Sequence, residues 1–222
     1  MDAVPLLFAE DVVRLLDEKS LCSLNDLSFG PFEKVGRSLW ENRLSIFLHV
    51  VFNRKESNFD YCLTCRRNDS WEEDYTYDPA DRRFVSDFRV YLLERKHLRV
   101  TWTTAALSDP TLIMLLRAPF AQTSLYLYVN CPQFLNLLPD YCSFTVIRDY
   151  YDSNNEVLDA IIERSQACGR LEEVTCTEFF RKRGREASTN WILTNKRLRS
   201  ISAWNVRTRA AIENALNNID VR

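Results

Sequence analysis

Few residues of this chain have the types and spacing that catalysis requires. The 222 residues include two histidines, His49 and His97. His49 lies within an apolar run that is typical of a strand, and His97 follows Glu94-Arg95-Lys96, where a cation suits a helix end. Neither histidine has the flanking signature of a nucleophile and its base. The sequence therefore predicts that the protein is not an enzyme.

The segment Cys62-Leu63-Thr64-Cys65 is a weak signal for metal binding. A structural zinc site needs a second pair of ligands, and Cys131 and Cys142 do not form a second CxxC. Residues three apart on a strand point to opposite faces, which favours two ordinary small strand residues over a metal site. The glycine-rich motifs that bind nucleotides are missing from the sequence. No metal and no cofactor are expected.

Composition indicates a globular protein with a sizeable core. Hydrophobic residues make up 46% of the chain and charged residues 27%, and the net charge of −2 gives no general attraction to nucleic acid. A secretory signal is not expected, because Asp2 and Glu10-Asp11 replace its basic and apolar parts. No apolar stretch approaches the roughly twenty residues that span a bilayer. The seven cysteines are therefore predicted to be reduced thiols of a cytoplasmic or nuclear protein.

The last fifth of the chain is basic. The cluster Arg181-Lys182-Arg183-Gly184-Arg185 is followed by Lys196-Arg197 and Arg207-Thr208-Arg209. Such a cluster could serve nuclear import or contact phosphate, or it could be a solvated loop. A solvated loop is the more common interpretation of such a cluster.

Residues 1–43 are predicted to form a module of three short helices. Pro5 suits the start of the first helix, and Ser20 is a suitable N-cap for the second. Gly30-Pro31 precedes a third helix that ends at Leu39-Trp40. Each helix has an apolar stripe at i, i+3 and i+4 spacing. Helices this short bury little surface, so the module must pack on the rest of the chain or on a partner.

This order of residues resembles the F-box. The shared features are an apolar residue before Pro5, paired aliphatic residues in the first helix, a leucine-rich second helix and a third helix that ends in Trp40. The resemblance implies docking onto the Skp-type adaptor of a cullin-containing SCF ubiquitin ligase. It assigns the adaptor contacts to a set of apolar residues: Pro5, Leu6, Phe8, Val12, Leu15, Leu16, Leu21 and Leu24. The alternative is an ordinary helical subdomain whose leucines all serve the core.

After residue 43 the hydrophobic pattern changes from helical to extended. Residues 45–52 are predicted to be a strand with Ile46, Leu48, Val50 and Phe52 on one side, and residues 59–65 alternate between apolar and polar types. Because a polar, turn-like segment separates these two runs, they are predicted to form a β-hairpin. Residues 71–79 are expected to be a surface connection or a short strand. Residues 82–95 have helical spacing, with Phe84, Phe88, Tyr91 and Leu92 on one face, and are predicted to be a helix.

The remainder of the chain alternates between helical and strand-like segments. The strand-like runs cover residues 98–102, 125–129, 144–147, 171–176 and 198–204. Helices are expected to begin near Asp109-Pro110, Pro132, Asn155 and Ser188, and a last helix to cover residues 206–219. Units of about 20 to 29 residues are typical of leucine-rich repeats. An F-box followed by loose units of this kind resembles the expanded F-box families of nematodes.

The predicted fold is therefore α+β, with an F-box-like module and a leucine-rich-repeat-like α/β domain over residues 44–222. Stacked units would give an arc with a parallel sheet on one side. The alternative is a compact α/β domain with a mixed sheet.

Strand alternation predicts which residues of the arc are exposed. The inward set is Leu98, Val100, Leu125, Leu127, Val129, Leu171, Val174, Leu198 and Ile201, and a bulge or bend is expected where alternation fails after Leu171 and after Leu198. Residues that alternate away from the core are the candidates for target binding. They are Thr101, Tyr126, Tyr128, Glu172 and Arg199.

The resemblance implies a substrate-recruiting subunit that does no chemistry itself. Its partners would be the Skp-type adaptor, the cullin and a target protein that the sequence does not identify. Membrane and nucleic acid are not expected as partners. The alternative is a scaffold that binds protein or RNA and has no role in ubiquitination.

Overall fold

The computed structural model of the chain describes residues 12–13, 23, 30–67, 70–118, 120, 122–140, 144–151, 156–175 and 200–202. These residues form helices and one mixed sheet, which confirms the α+β class. The helices are α1 (Gly30–Glu41), α2 (Pro110–Arg117) and α3 (Glu156–Ala167), and two 3₁₀ helices are η1 (Pro79–Phe84) and η2 (Pro132–Asn136). The strands are β1 (Leu44–Asn53), β2 (Asn58–Arg67), β3 (Ser70–Glu72), β4 (Val85–Leu93), β5 (Thr103–Ala105), β6 (Thr123–Leu127), β7 (Val146–Asp149), β8 (Glu173–Thr175) and β9 (Ser200–Ser202).

The order of the strands is β3-β2-β1-β4-β6-β7-β8-β9, with β5 paired to β2. Strands β1 and β2 form the predicted hairpin, in which Leu48 lies opposite Leu63. From β1 through β4 and β6 to β9 the strands run parallel, each beside the next in this series. Helical segments precede five of them: α1 comes before β1, η1 before β4, α2 before β6, η2 before β7 and α3 before β8. The sheet is thus mixed, and its larger part is a parallel series.

The helices α2, η2 and α3 cover one face of the sheet, which we call the first face. Alternate strand residues such as Leu48, Phe88 and Leu125 pack there against side chains of these helices, including Leu115 and Ile161. Burying one such side chain contributes about 1.5–3 kcal/mol to folding. The N-cap of α2 is the predicted one, because the Asp109 carboxylate accepts a hydrogen bond from the backbone N–H of Leu112 at 2.8 Å. The core therefore lies between the first face and the helices.

The predicted helix over residues 82–95 is wrong, because this segment forms η1 and then β4. Phe88, Val90 and Leu92 alternate into the core, while Arg89 and Tyr91 point to the other side of the sheet. The spacing of these apolar residues fits both a helix and a strand. Pairing with β1 on one side and β6 on the other decides in favour of the strand.

The predicted strand over residues 98–102 is also wrong. These residues form a loop, and the short strand β5 that follows pairs antiparallel with β2 instead of joining the parallel series. Local polar contacts hold the loop: the Thr101 N–H donates to the Asp74 carboxylate, and the Trp102 indole N–H donates to the carbonyl of Leu98 at 3.4 Å. Thr101 is exposed, and Leu98 is half-buried.

The predicted irregularity after Leu171 is present. The backbone N–H groups of Glu172 and Glu173 both donate to the carbonyl of Thr145, at 2.8 and 3.0 Å. Leu171 and Val174 are thereby both buried although they are three residues apart.

The helices predicted near Ser188 and over residues 206–219 lie outside the described residues, as does Leu198. Among the helices that are described, none combines the length and the apolar character needed to cross a membrane.

Candidate functional site

The side of the sheet opposite the core, which we call the second face, carries a row of aromatic side chains. Strand alternation and register bring them together from strands that are distant in sequence: Tyr91 of β4 lies opposite His49 of β1 and opposite Tyr126 of β6. We define the aromatic row as Trp71, Phe47, Tyr91, Tyr126, Tyr150 and Tyr128. It crosses the sheet from β3 to the end of β7.

Each ring of the row lies close to the next ring along the row. Phe47 lies 4.8 Å from Trp71 and 6.4 Å from Tyr91, measured between ring centroids. Tyr91 and Tyr126 are stacked at 4.6 Å, and their planes differ by 13°. Tyr150 is nearly parallel to Tyr126 at 6.5 Å. The close and nearly parallel rings of Tyr91 and Tyr126 thus lie face to face, so that their edges point to the surroundings.

The aromatic row is exposed at its two ends. Tyr126 in the middle is 9% exposed, whereas Trp71 is 61%, Tyr128 42% and Tyr150 44% exposed. Of the described residues, these three are the most exposed large aromatic side chains. Tyr128 and Tyr150 stack on each other at 5.0 Å, and their backbone N–H groups donate to Leu92 and Leu127. The exposed aromatic area is therefore fixed to the ends of paired strands.

Two arginines flank the tyrosines on the second face. Arg89 donates from Nε to the Asp87 carboxylate, and its guanidinium lies over the ring of Phe47, 5.4 Å from the centroid. Arg148 forms an ion pair with Glu173 at 3.0 Å and lies 5.6 Å from the centroid of Tyr126. Each arginine is thus held by a carboxylate and by an aromatic ring.

His49 is buried on the second face, next to the loop that follows β4. Its ring stacks on Tyr91 at 5.0 Å and meets the edge of His97 at 6.1 Å. Burial, reinforced by the charge of His97, lowers the pKa of His49 from 6.5 to about 4. Among the described groups, none forms a hydrogen bond with its Nδ1. His49 is therefore neutral at pH 7.

An open pocket of about 400 Å³ lies beside the aromatic row. The sheet side of the pocket is formed by His49, Tyr91, Leu93 and Tyr128, and the loop side includes Arg95 and His97. Burial raises the pKa values of Tyr91 and Tyr128, so both phenols keep their protons at neutral pH. The pocket offers aromatic and apolar walls together with hydrogen-bond donors.

The predicted target-binding residues lie in different parts of the structure. Tyr126 and Tyr128 belong to the aromatic row, and Tyr128 is exposed as predicted. The predicted exposure of Tyr126 is wrong, because the ring of Tyr91 and the guanidinium of Arg148 lie against it and leave it 9% exposed. Glu172 is partly buried just before β8. Thr101 was expected in a parallel strand, and this placement is wrong because it lies in the loop before β5. Arg199 lies outside the described residues. The structure therefore brings together the two tyrosines but does not place Thr101 in their series of strands.

The most important residues of the second face that the sequence prediction missed are Phe47, Arg89, Tyr91, Arg148 and Tyr150. Arg89 and Tyr91 were missed because residues 82–95 were predicted to be helical. The polar and apolar alternation of Asp87 to Leu92 is the signal that could have revealed them.

Most of the predicted adaptor-binding residues lie outside the described part: Pro5, Leu6, Phe8, Leu15, Leu16, Leu21 and Leu24. Val12 is helical and half-buried. Its neighbour Val13 is fully buried against Val35 and Leu39 of α1, with Phe84 of η1 beside them. The first predicted helix and the third are thus in contact through Val13.

The two cysteines of the CxxC segment face opposite sides of β2. Cys65 packs in the core, and Cys62 lies opposite His49 on the second face. Burial raises the pKa of each thiol to about 12, so neither is a thiolate at neutral pH. Within the part of the chain that the structure describes, no group of three or more His, Cys, Asp or Glu residues could hold a metal ion.

No protein-family model matches the chain, and neither a curated protein nor a solved structure shows significant similarity to it.

Proposed function

We propose that this protein is a substrate-recruiting F-box subunit of an SCF-type ubiquitin ligase. The N-terminal helices would bind the Skp-type adaptor, and the second face of the sheet would bind the target. The protein would contribute proximity and not chemistry, because it would hold a target lysine near the charged conjugating enzyme.

The adaptor-binding half of the proposal depends on the F-box-like order of residues at the N-terminus. The packing of the third helix is compatible with it. Leu39 of α1 is buried against Val13, and Trp40 is half-buried beside the guanidinium of Arg43 at 3.9 Å. Phe84 packs against the same cluster, so the small module contacts the sheet domain. A module of this size needs such a contact, because it buries too little surface by itself.

The target-binding half is supported by one observation above all: the exposed aromatic residues are concentrated on the second face. Tyrosine and tryptophan are enriched in protein interfaces because they offer large contact areas at a low cost in entropy. Strands hold these side chains in place, and a rigid surface loses little freedom on binding.

We also propose that residues 44–222 form a degenerate leucine-rich-repeat-like arc. The parallel order of β4, β6, β7, β8 and β9 supports this, as do the helical segments before β6, β7 and β8. In such an arc the strands form one surface, which is the usual place for a partner.

Co-purification with a Skp-type adaptor tests the ligase proposal. The intact protein should capture the adaptor, and the variant Leu15→Ala with Leu16→Ala should lose it. Met114→Ala is a matched control, because Met114 is an exposed apolar residue on a different helix. If the intact, folded protein fails to capture the adaptor, the scaffold alternative replaces the ligase proposal.

A further inference from the structure

We infer that the second face binds an extended acidic segment of the partner protein, with carboxylates on both sides of the tyrosines. This inference rests on that part of the proposed function which assigns target binding to the second face. It does not depend on the adaptor. It follows from the orientation of the rings, the layering of the ion pairs and the positions of the two arginines.

The stacked tyrosines present a surface that favours anions. The faces of Tyr91 and Tyr126 are turned towards each other at 4.6 Å, so the ring edges point outward. The edge of an aromatic ring carries the positive part of its quadrupole, and a protonated phenol adds an O–H donor. Burial raises the pKa values of Tyr91 and Tyr128, which keeps these donors protonated. A carboxylate is the natural complement of such a row.

The ion pairs of the second face place their cations outermost. The Asp60 carboxylate is 7% exposed while its partner Lys96 is 43% exposed. Asp87 is likewise more buried than Arg89, and Glu173 is more buried than Arg148. The Arg89 side chain donates from Nε to Asp87 and also hydrogen-bonds the side chain of Tyr91, and a guanidinium with five N–H donors has further donors beyond these two contacts. An approaching partner therefore meets cations first.

The register of the strands sets the spacing of the carboxylates. Arg89 pairs with Ser124, and Arg148 pairs with Tyr126, two residues further along β6. Two strand spacings across the sheet and two residues along it separate the α-carbons by about 12 Å. In an extended chain, side chains on the same face recur every second residue, and residues four apart lie about 13 Å from each other. The best ligand thus has two acidic residues four positions apart, one for each arginine.

The same geometry disfavours single-stranded nucleic acid. Bases bind such proteins by stacking on the faces of aromatic rings. In the middle of the row, Tyr126 is 9% exposed, because its ring stacks on Tyr91 and the guanidinium of Arg148 lies over it. Nucleic acid is therefore an outcome that the test must be able to detect and not the ligand we infer.

The test measures binding of fluorescent synthetic peptides to the full-length protein by anisotropy. The probe peptide has two glutamates four positions apart with leucines between them. Its controls have lysines in place of the glutamates, or the two glutamates side by side, and an oligouridylate is the nucleic-acid probe.

We expect that the protein binds the peptide with glutamates four positions apart and none of the other probes, and that this affinity falls as salt is added. Arg148→Gln should weaken binding about tenfold and Arg148→Lys less, because the first loses a charge-assisted contact and the second keeps the positive charge. The exposed Arg117 of α2 provides the control variant Arg117→Gln, which should bind normally.

Equal binding of the lysine peptide, tighter binding of the oligouridylate, or no binding of the glutamate peptide to the folded protein would each overturn the inference. The peptide controls need no protein variant, so they remain informative even if Arg148→Gln unfolds the chain. Loss of adaptor capture alone would refute the ligase proposal and leave the peptide result intact. If peptide binding fails while target capture still depends on Tyr128 and Tyr150, the face is the binding surface but its ligand is not acidic.

Discussion

The rings of Tyr91 and Tyr126 lie face to face, with centroids 4.6 Å apart and planes 13° apart, on neighbouring parallel strands. On its other side Tyr126 is nearly parallel to Tyr150, and the guanidinium of Arg148 covers part of its ring. Tyr126 is therefore enclosed by its neighbours, while Tyr128 and Tyr150 are exposed. A substitution in the middle of the aromatic row should affect folding, and substitutions at its end should affect recognition.

Replacing Tyr128 and Tyr150 together by alanine should abolish target capture and leave the fold intact. Both side chains are more than 40% exposed, so the change should cost no more than about 1.5 kcal/mol of stability, the scale of one aromatic pair. Pull-down from lysate measures the capture, and urea unfolding measures the stability. Tyr126→Ala is the contrasting variant: it should lower stability by about 2–4 kcal/mol, because it leaves a cavity among packed rings.

Two results would contradict this division of roles. In one, the double variant Tyr128→Ala with Tyr150→Ala would still capture the target as well as the wild type does. In the other, it would unfold as easily as Tyr126→Ala, and loss of capture would then carry no information about recognition.

The adjacent valines of the first predicted helix offer a matched pair of variants. Val13 is fully buried against Val35 and Leu39, whereas Val12 is half-buried. Val13→Ala should lower the free energy of unfolding by about 1–3 kcal/mol, since two buried methyl groups are lost. Val12→Ala should change stability by less than about 1 kcal/mol and should weaken adaptor capture instead.

Urea unfolding and an adaptor pull-down on both valine variants make the comparison. The same chemical change is made at neighbouring positions, so composition and helix propensity are controlled. If Val12→Ala lowers stability as much as Val13→Ala does and adaptor capture is unchanged, residue 12 belongs to the core and its assignment to the adaptor interface is wrong.

Local signals in the sequence were enough to predict much of this fold. The hairpin of β1 and β2 follows from the alternation of residues 59–65 and the polar turn before them, and the start of α2 follows from Asp109 and Pro110, because turn and cap chemistry acts over a few residues. Alternation also predicted that Tyr126 points away from the core. What local pattern could not decide was β4, whose apolar residues fit two periods, so that pairing with distant strands determines its structure.

The aromatic row could not be predicted for the same reason. Its members come from five places in the sequence, and only the order and register of the strands make Phe47 a neighbour of Tyr91 and of Trp71. A single sequence does not contain that register. The two tyrosines of β6 were visible because both lie within one alternating run, whereas Tyr150 lies just beyond the end of a strand.

Arg164 of α3 is predicted to be the most important surface cation for stability. One terminal nitrogen of its guanidinium donates to the carbonyls of Leu135, Leu138 and Pro139, at 3.1, 3.3 and 3.3 Å. These carbonyls belong to η2 and the turn after it, and they lose their charged donor when the Arg164 side chain is removed. Arg164→Ala should lower the free energy of unfolding by roughly 1.5–3 kcal/mol, and Arg164→Lys should recover only part of this loss.

Chemical denaturation measures the effect of Arg164, with Arg117→Ala as the control. Arg117 is an exposed arginine in the last turn of α2, and its removal should change stability by about 0.5 kcal/mol or less. Equal losses in the two alanine variants would show that the three carbonyl contacts contribute nothing measurable.

The buried His49 should make stability depend on pH between about 4 and 6.5. Burial, with a smaller contribution from His97, lowers the pKa of His49 in the folded protein to about 4, while the unfolded chain keeps the ordinary value of 6.5. Between these values the unfolded state binds more protons, so the free energy of unfolding falls as the pH is lowered through this range. The full contribution, roughly 3 kcal/mol, is present above pH 6.5 and is lost progressively towards pH 4.

His49→Phe removes the titration but keeps a ring that can stack on Tyr91, so the stability of this variant should decline less over the same range. Urea unfolding at a series of pH values measures the difference between wild type and variant, which cancels the titration of the carboxylates. The chain has two histidines, so an NMR titration that follows the ring signals of His49 assigns the effect directly. A titration midpoint of His49 near its ordinary value would contradict the prediction and would mean that water reaches its ring.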